Sequence, residues 1–336
     1  MATIIDVAKL AGVGIGSVSR VINGKDSVSD KTRLKVNKAI KTLNYKPNQS
    51  ARSLVSKKFN TIGIWGTELA GTFNSQTLQV IDHELITHQK HCLVTNGDIS
   101  NSENPNLAID SVNDLISKGC DGIIFWGTDV THFDIAYIEK YFPNIVLLNN
   151  RIEKFDHKCF YFNHYKAGYI AGQYLVDNGH KSIACITGDF QTEDGRKRHE
   201  GFLDSMKDNN ITVPSEFIIE GDYSFIKGQE GVMTLLKRNL DFTALFCGND
   251  QSAMSAIATL TDNGFNVPDD ISVFGYDDND IAPFTSPPLS TIRVPFDDMA
   301  LAAVKYLLNT CYDLQLSVEH NFPVELIERK SVRNLT

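Results

Sequence analysis

Two kinds of apolar spacing divide this 336-residue chain near residue 60. In the first part, apolar positions recur every three or four residues. Ile4, Ala8 and Ala11 fall at i, i+4 and i+7, one face of a short helix, and Thr3 with Asp6 has the capping-box spacing that opens one. Gly12 interrupts it. A second stripe, Val18, Val21 and Ile22, stops at Asn23-Gly24. A third, Val36, Ala39, Ile40 and Leu43, runs from the N-cap residue Ser29 to about Leu43. Two short helices about a glycine turn, closed by a third, predict a helix-turn-helix whose second helix enters a major groove. The stretch PNQSARSLVSKK (47–58) has an N-cap residue in Asn48 but length for only about two or three helical turns, which is marginal in water.

From Thr61 the pattern changes to short apolar runs alternating with longer amphipathic ones. The strands expected are 61–66, 91–97, 121–127, 144–150, 159–163, 182–188, 216–221, 244–250 and 271–278, with helices between most of them, for example 165–178, 225–238 and 251–263. Alternating β and α elements predict a parallel, doubly wound sheet. Nine strands are many for one such sheet, and a break near residue 163 divides them into two similar halves. Most of these strands finish on Gly, Asn, Asp or Thr. In open parallel sheets a ligand sits beyond the carboxyl ends of the strands, although turns favour the same residues with no ligand at all.

Charge sharpens the division. Residues 1–60 hold twelve Lys and Arg against Asp6, Asp26 and Asp30, a net +9; since the whole chain carries −9, residues 61–336 carry −18. Cationic charge confined to a segment with helical periodicity is the footprint of a protein that binds a polyanion. On the second helix, the residues off the apolar stripe are Ile15, Gly16, Ser17, Ser19 and Arg20. Arginine can donate two bonds to a guanine edge, and serines suit phosphate oxygens.

Composition, with 42% hydrophobic and 22% charged residues, is that of an ordinary globular protein. No apolar run has membrane-spanning length and no signal peptide precedes the first helix, so a cytoplasmic protein is expected. Cys92, Cys120, Cys159, Cys185, Cys247 and Cys311 form no C-x-x-C pair and read as reduced core residues. GVGIGS lacks the preceding strand and following lysine of a phosphate loop, and no nucleophile motif or metal-ligand spacing is present. The sequence therefore argues against an enzyme, and no cofactor is expected.

The motifs ATIIDVAKLAGV, SVSRVING, PN and ARSL make residues 2–54 closely resemble the lactose/galactose repressor family of bacterial transcription regulators. Gly14 and Gly16 depart from it: the family usually has a capping serine at the first position, and the second reads bases. The resemblance implies an all-α helix-turn-helix headpiece (1–46), a hinge helix and linker (47–60), and an α/β periplasmic-binding-protein-like body (61–331). That body would have two doubly wound parallel-sheet lobes, an N-lobe at about 61–162 and 293–321 and a C-lobe at about 163–292 and 322–331. It implies DNA contacts from Thr3, Ile15, Gly16, Ser17, Ser19, Arg20, Asn23, Asn48, Ala51, Arg52 and Leu54, with Leu54 as a minor-groove wedge.

It also implies an effector site between the lobes. Arg198 of R-x-x-G-F, Asp277 of GYDD and Asn249 of CGND would bracket sugar hydroxyls. Tyr223, Phe162 and Phe296 would be apolar walls, and Asn150 and Thr67 further polar contacts. The implied partners are double-stranded operator DNA, a small-molecule sugar and a second copy of the chain. The chain ends at Thr336 without the leucine-rich tail of the tetrameric lactose member, so a homodimer is expected. VLLNNRI, FTALFCGND and STIRVPF are most similar to the galactose branch. Thr192, near where a purine-binding member would carry a second arginine, speaks against a purine.

Overall fold

The computed structural model describes residues 2–22, 27–46, 58–66, 72–96, 107–127 and 132–336. They form two compact units, 1–60 and 61–336. The first holds α1 (Ile4–Ala11), α2 (Ile15–Ile22) and α3 (Asp30–Thr42). The capping box forms: the Thr3 N–H donates to Asp6 Oδ2 at 2.8 Å and Asp6 N–H to Thr3 Oγ1 at 3.3 Å. Gly12 ends α1 at φ 65°, a left-handed turn that glycine adopts at no steric cost. Val7, Ala8, Ala11, Val18, Val21, Val36 and Ala39 make the buried core. Val7 therefore takes the central place that periodicity assigned to Ile4, which packs at the edge. Both lie on the apolar side of α1, and contact with α3 decides between them. Asn23-Gly24 and the hinge stretch fall outside the described residues.

In the second unit the first five expected strands form one parallel sheet: β1 (Thr61–Gly66), β2 (His91–Asn96), β3 (Gly122–Trp126), β4 (Ile145–Leu148) and β5 (Cys159–Phe160), in the order β2-β1-β3-β4-β5. The next four form another: β6 (Ile183–Ile186), β7 (Ile218–Ile219), β8 (Ala244–Cys247) and β9 (Ser272–Phe274), in the order β7-β6-β8-β9. The two orders are the same winding repeated, as the break near 163 predicts. Several strands are shorter than the apolar runs suggest, because the polar residues at their ends turn away from the sheet. On the first sheet Ile62, Ile64, Ile124, Val146 and Leu148 are buried on one face and Trp65, Ile123, Phe125, Ile145 and Leu147 on the other; on the second, Ala184, Ile186, Leu245 and Val273 are buried on one face and Ile183, Cys185, Phe246 and Phe274 on the other, as sheets covered by helices require.

Helices α4 (Thr72–Thr87), α5 (Leu107–Ser117) and α6 (His132–Tyr141) belong to the first winding. Helices α7 (His164–Asp177), α8 (Glu193–Asp208), α9 (Phe225–Lys237) and α10 (Asp250–Asp262) belong to the second. After β9 the chain returns through β10 (Thr291–Arg293) to α11 (Phe296–Tyr312), which packs against α4, β3, β4 and β5 of the first sheet, and comes back through β11 (Glu325–Ile327). β10 and β11 pair antiparallel in a two-stranded sheet that the periodicity did not reveal. At three residues each they are too short to carry a pattern.

Helices α7 and α8 lie unusually close. A methyl group on Gly168 would overlap the Arg198 carbonyl, and one on Gly201 the Tyr165 carbonyl. Glycine at these contacts fixes where α8, and with it Arg198, sits. Among the described residues no helix is long and apolar enough to cross a membrane, and no cluster of His, Cys, Asp and Glu could hold a metal ion. All six cysteines are free thiols, five of them buried.

Candidate functional site

On the amino-terminal unit, Ile15, Gly16 and Arg20 lie exposed along α2, with Ser17 and Ser19 partly exposed. They leave the core to Val18 and Val21. No side chain caps α2: the Gly14 carbonyl accepts from Ser17 N–H at 2.9 Å, as an N-cap carbonyl does. A methyl group at Gly14 would meet nothing, and one at Gly16 only the end of the Arg20 side chain. Neither glycine is therefore required by packing. The Thr3 hydroxyl is committed to the Asp6 carboxylate at 2.7 Å. Asn23, Asn48, Ala51, Arg52 and Leu54 lie outside the described residues, as does Thr67 of the body.

In the body the centre is Arg198. It projects from α8, whose start is fixed by Thr192 Oγ1 accepting from Gly195 N–H at 3.2 Å. The guanidinium is buried, lies 3.6 Å from the ring centre of Tyr276 and 5.2 Å from that of Tyr223, donates to the Gly248 carbonyl, and meets Asp194 one turn earlier at 3.4 Å. Its Nε has no partner among the described atoms. Burial alone would lower its pKa, but Tyr223, Tyr276, Asp194 and Asp277 outweigh that and hold it above the ordinary arginine value. The group is a fixed cation. Burial opposes ionisation of Asp194, yet the fields of His164 and Arg198 lower its pKa.

Two of the expected residues, Tyr223 and Asp277, adjoin this pair. Tyr223 donates to Asp194 at 3.3 Å, and Asp277 is close enough to Arg198 to raise its pKa. Phe162 is buried against His164, ring centres 4.0 Å apart. His164 Nδ1 lies 3.2 Å from the Tyr276 hydroxyl and Nε2 2.8 Å from Asn149 Oδ1. Phe296 and Asp277 share the wall of a cavity of about 380 Å³ with Gln76, Asp278, Asn279, Asp280, Arg293 and Asp297. Phe296 also packs on Trp126, ring centres 5.8 Å apart.

Two of the expected contacts also brace the framework. Asn249 is the N-cap of α10: its Oδ1 accepts from Ser252 N–H at 2.9 Å and Ser252 Oγ–H at 2.7 Å, and its Nδ2 donates to the Tyr223 carbonyl at 2.9 Å. It holds the Tyr223 loop in place with its side chain engaged on both ends. Asn150 donates to the Gly127 carbonyl at 3.2 Å, bracing the end of β3.

Sequence reasoning missed Asp194, His164, Tyr276 and Asn149. Asp194 stands four residues before Arg198, the helical spacing at which opposite charges meet, and was findable. The others come together only through the fold. Burial lowers the His164 pKa from 6.5 to about 3, so the ring is neutral near pH 7. Below the site, Asp250 is fully buried, accepts from Thr291 Oγ1 at 2.6 Å and Asn279 N–H at 2.9 Å, and is pushed up to about 7 by burial. It ties the loop carrying Asp277 to β10.

Residues 3–48 match the family described as bacterial regulatory proteins, lacI family, and residues 173–332 match a periplasmic binding protein-like domain. The HTH-type transcriptional regulator GalS of Salmonella typhimurium is 32% identical over 99% of this chain and 97% of its own. The HTH-type transcriptional repressor PurR of Actinobacillus pleuropneumoniae is 36% identical over 100% and 99%. Among solved structures, a lac repressor dimer bound to operator and the anti-inducer ONPF has a TM-score of 0.86 at 29% identity, covering 99% of each chain. These relatives are transcriptional regulators, not enzymes, and the expected fold class agrees with them. With its amino-terminal helices and its two-sheet body both matched, the chain belongs to the lacI family of bacterial regulatory proteins.

Proposed function

We propose that this DNA-binding regulator is a repressor of sugar-utilisation genes whose operator affinity is set by a hexose held between the two sheets, with galactose or a galactoside first among candidates. Residues 1–46 read DNA, 47–60 form the hinge, and 61–331 bind effector and pair with a second copy, with the lobe limits given above. DNA contacts come from the exposed face of α2 and from the hinge, with Leu54 as its wedge. The observation that carries the effector assignment is Arg198, a buried cation stacked on Tyr276 with Asp277 and Tyr223 beside it. Fixed donors, carboxylate acceptors and aromatic faces converging on one place suit a ring bearing several hydroxyls.

The regulation follows from linkage. A ligand changes operator affinity only if it favours one arrangement of the body over another, and operator then changes ligand affinity by the same factor. Two protomers on a pseudo-palindromic operator would each present one α2 to a half-site.

A purine corepressor is the second reading, because the PurR relative matches at 36% identity. Against it, Thr192 spends its side chain capping α8 and accepting from Gly195 N–H, and offers no cation for a purine edge. Thermal-shift titration of the full chain with hexoses, galactosides, hypoxanthine and guanine separates the two. Stabilisation by a sugar, with a matching change in a gel shift on candidate operators, supports the first reading. Stabilisation by a purine alone replaces it with the second.

A further inference from the structure

His164 stands where the chain passes from the first winding to the second. It is the first residue of α7, and Asn163 fixes it there by accepting from Lys166 N–H at 2.9 Å. Its ring reaches both sheets. Nε2 lies 2.8 Å from Oδ1 of Asn149, just beyond β4, and Nδ1 lies 3.2 Å from the hydroxyl of Tyr276, just beyond β9. Among the described residues, no other side-chain hydrogen bond or ion pair joins residues 61–162 to residues 165–290.

The partners set the sense of both bonds. An amide oxygen only accepts, so a neutral ring carries its proton on Nε2 and donates it to Asn149. Nδ1 is then bare and accepts from the Tyr276 hydroxyl. Burial keeps the ring neutral near pH 7, the form this arrangement needs.

Both ends are anchored. Asn149 N–H donates to the Phe160 carbonyl at 2.8 Å, and the Tyr276 carbonyl accepts from Asp250 N–H at 2.7 Å. Tyr276 is fully buried, with its ring 3.6 Å from the Arg198 guanidinium. Helix α7 meets Arg198 a second time: Gly168, one turn after His164, sits against the Arg198 backbone carbonyl. A ligand that engages the guanidinium therefore bears on the ring stacked against it, and the hydroxyl of that ring is tied through a rigid imidazole to the first sheet.

We infer that His164 is a positioning residue, a strap from Tyr276 to Asn149 by which occupancy at Arg198 reaches the first sheet. This rests on Arg198 as the effector-binding group, deepens the regulation proposed for that site, and holds for a sugar or a purine alike. A strap contributes to coupling only as far as its bonds differ between two arrangements of the body, and one such bond is worth about three- to tenfold in an equilibrium.

The test reads the coupling factor, the ratio of operator affinities without and with ligand. It is measured by fluorescence anisotropy on the full chain, with a duplex selected from random sequence and with galactose, or with hypoxanthine where galactose does not bind. Asn149→Gly and Tyr276→Phe each cut one end. Glycine accepts the left-handed backbone at position 149, where φ is 59°, and phenylalanine keeps a ring against Arg198 without the hydroxyl. Each variant should bring the coupling factor about three- to tenfold closer to unity, and the double variant no further, because either cut severs the same strap. A role confined to stability lowers Tm and leaves the coupling factor at the parent's value, and a role confined to ligand binding changes ligand affinity alone. Either result, or two cuts whose effects multiply, overturns the strap and leaves the reading of Arg198 standing. Ligand affinity that survives Arg198→Met, or no binding of either ligand by the parent, overturns that reading and this inference with it.

Discussion

The Asp194–Arg198 pair offers the sharpest test of the proposed effector site. In Asp194→Asn the side chain keeps its shape and loses its charge. Arg198 then remains a buried cation without its neighbouring carboxylate; the side chains are 7% and 14% exposed, so solvent does little to compensate. Removing one partner of a buried pair costs about 3–5 kcal/mol. Arg198 keeps the Gly248 carbonyl and the Tyr276 face, and the cation–π contact retains about 1–2 kcal/mol, which places the expected loss near the lower end, about 3 kcal/mol. For a unit of this size about 1 kcal/mol lowers Tm by roughly 2–4 °C, so the body's calorimetric transition should fall by about 6–12 °C.

Effector affinity should fall about tenfold or more as well, because Asp194 also accepts the Tyr223 hydroxyl at 3.3 Å and so fixes both donors. The double variant Asp194→Leu/Arg198→Met separates the two effects. Replacing both charges by apolar groups is often close to neutral for stability, so its Tm should recover most of the loss while effector binding disappears. An Asp194→Asn protein that melts within about 1 °C of the parent would refute the reasoning, as would a double variant less stable than either single one.

Three further outcomes are expected. Gly201→Ala drives a methyl into the Tyr165 carbonyl and should destabilise the body by about 1–3 kcal/mol while weakening effector binding through displacement of α8; urea denaturation beside a sugar titration reads both. Leu54→Ala should sharply weaken operator binding in a gel shift and leave sugar affinity unchanged, since the wedge acts only on DNA; equal operator affinity would remove Leu54 from the DNA contacts. His164 has a folded pKa near 3 against an ordinary 6.5, so the unfolded chain binds the extra proton and the His164 contribution to stability is lost as pH falls from 6.5 toward 3. The stability deficit of His164→Asn relative to the parent, measured at pH 7.5, should therefore shrink by about 2 kcal/mol at pH 5; a deficit that does not change with pH would mean the ring is not held neutral.

The sequence made the local features legible. The capping box at Thr3, the glycine stop at Gly12 and the buried stripes of α2 and α3 depend on residues within a few positions of one another, and all are found where spacing puts them. The nine long apolar runs were legible as strands for the same reason, and their repeated winding followed from the break near 163. The β10–β11 pair was not, because Arg293 finds Glu325 across 32 residues and three-residue strands have no periodicity to read. Asn249 marks another limit. An asparagine before Asp-Gln-Ser is equally a cap and a ligand in sequence, and only the fold shows that it caps, with the 2.9 Å bond from Ser252 N–H.

What sequence could least reveal is the backbone that gathers the site. Among the described residues, ten that are not glycine have positive φ. Asn44, Gln89, Asn210, Asn239 and Asp313 follow helix ends, where the left-handed turn is ordinary, and Asn60 precedes β1. The remaining four are Asn149 at 59°, Tyr223 at 70°, Asp277 at 120° and Asp278 at 58°, and all stand just beyond strand ends, Tyr223 and Asp277 beside Arg198. For tyrosine that conformation is costly, on the order of 1–3 kcal/mol, and it persists because Asn249 holds the Tyr223 carbonyl and Asp194 its hydroxyl. Asp277 is held likewise, its N–H to the Ile292 carbonyl at 2.9 Å and its own carbonyl to Val294 N–H at 3.3 Å. Strain of this kind survives only where surrounding contacts over-determine it, and here those contacts come from the side chains that ring Arg198 and from the β10 strand that runs between the sheets. The bend at Asp277 is therefore anchored on the β10 segment, which links the two sheets, and the bend at Tyr223 on Asn249 and Asp194 within the second sheet's own elements; on the proposed reading, a ligand beside Arg198 acts on both anchors.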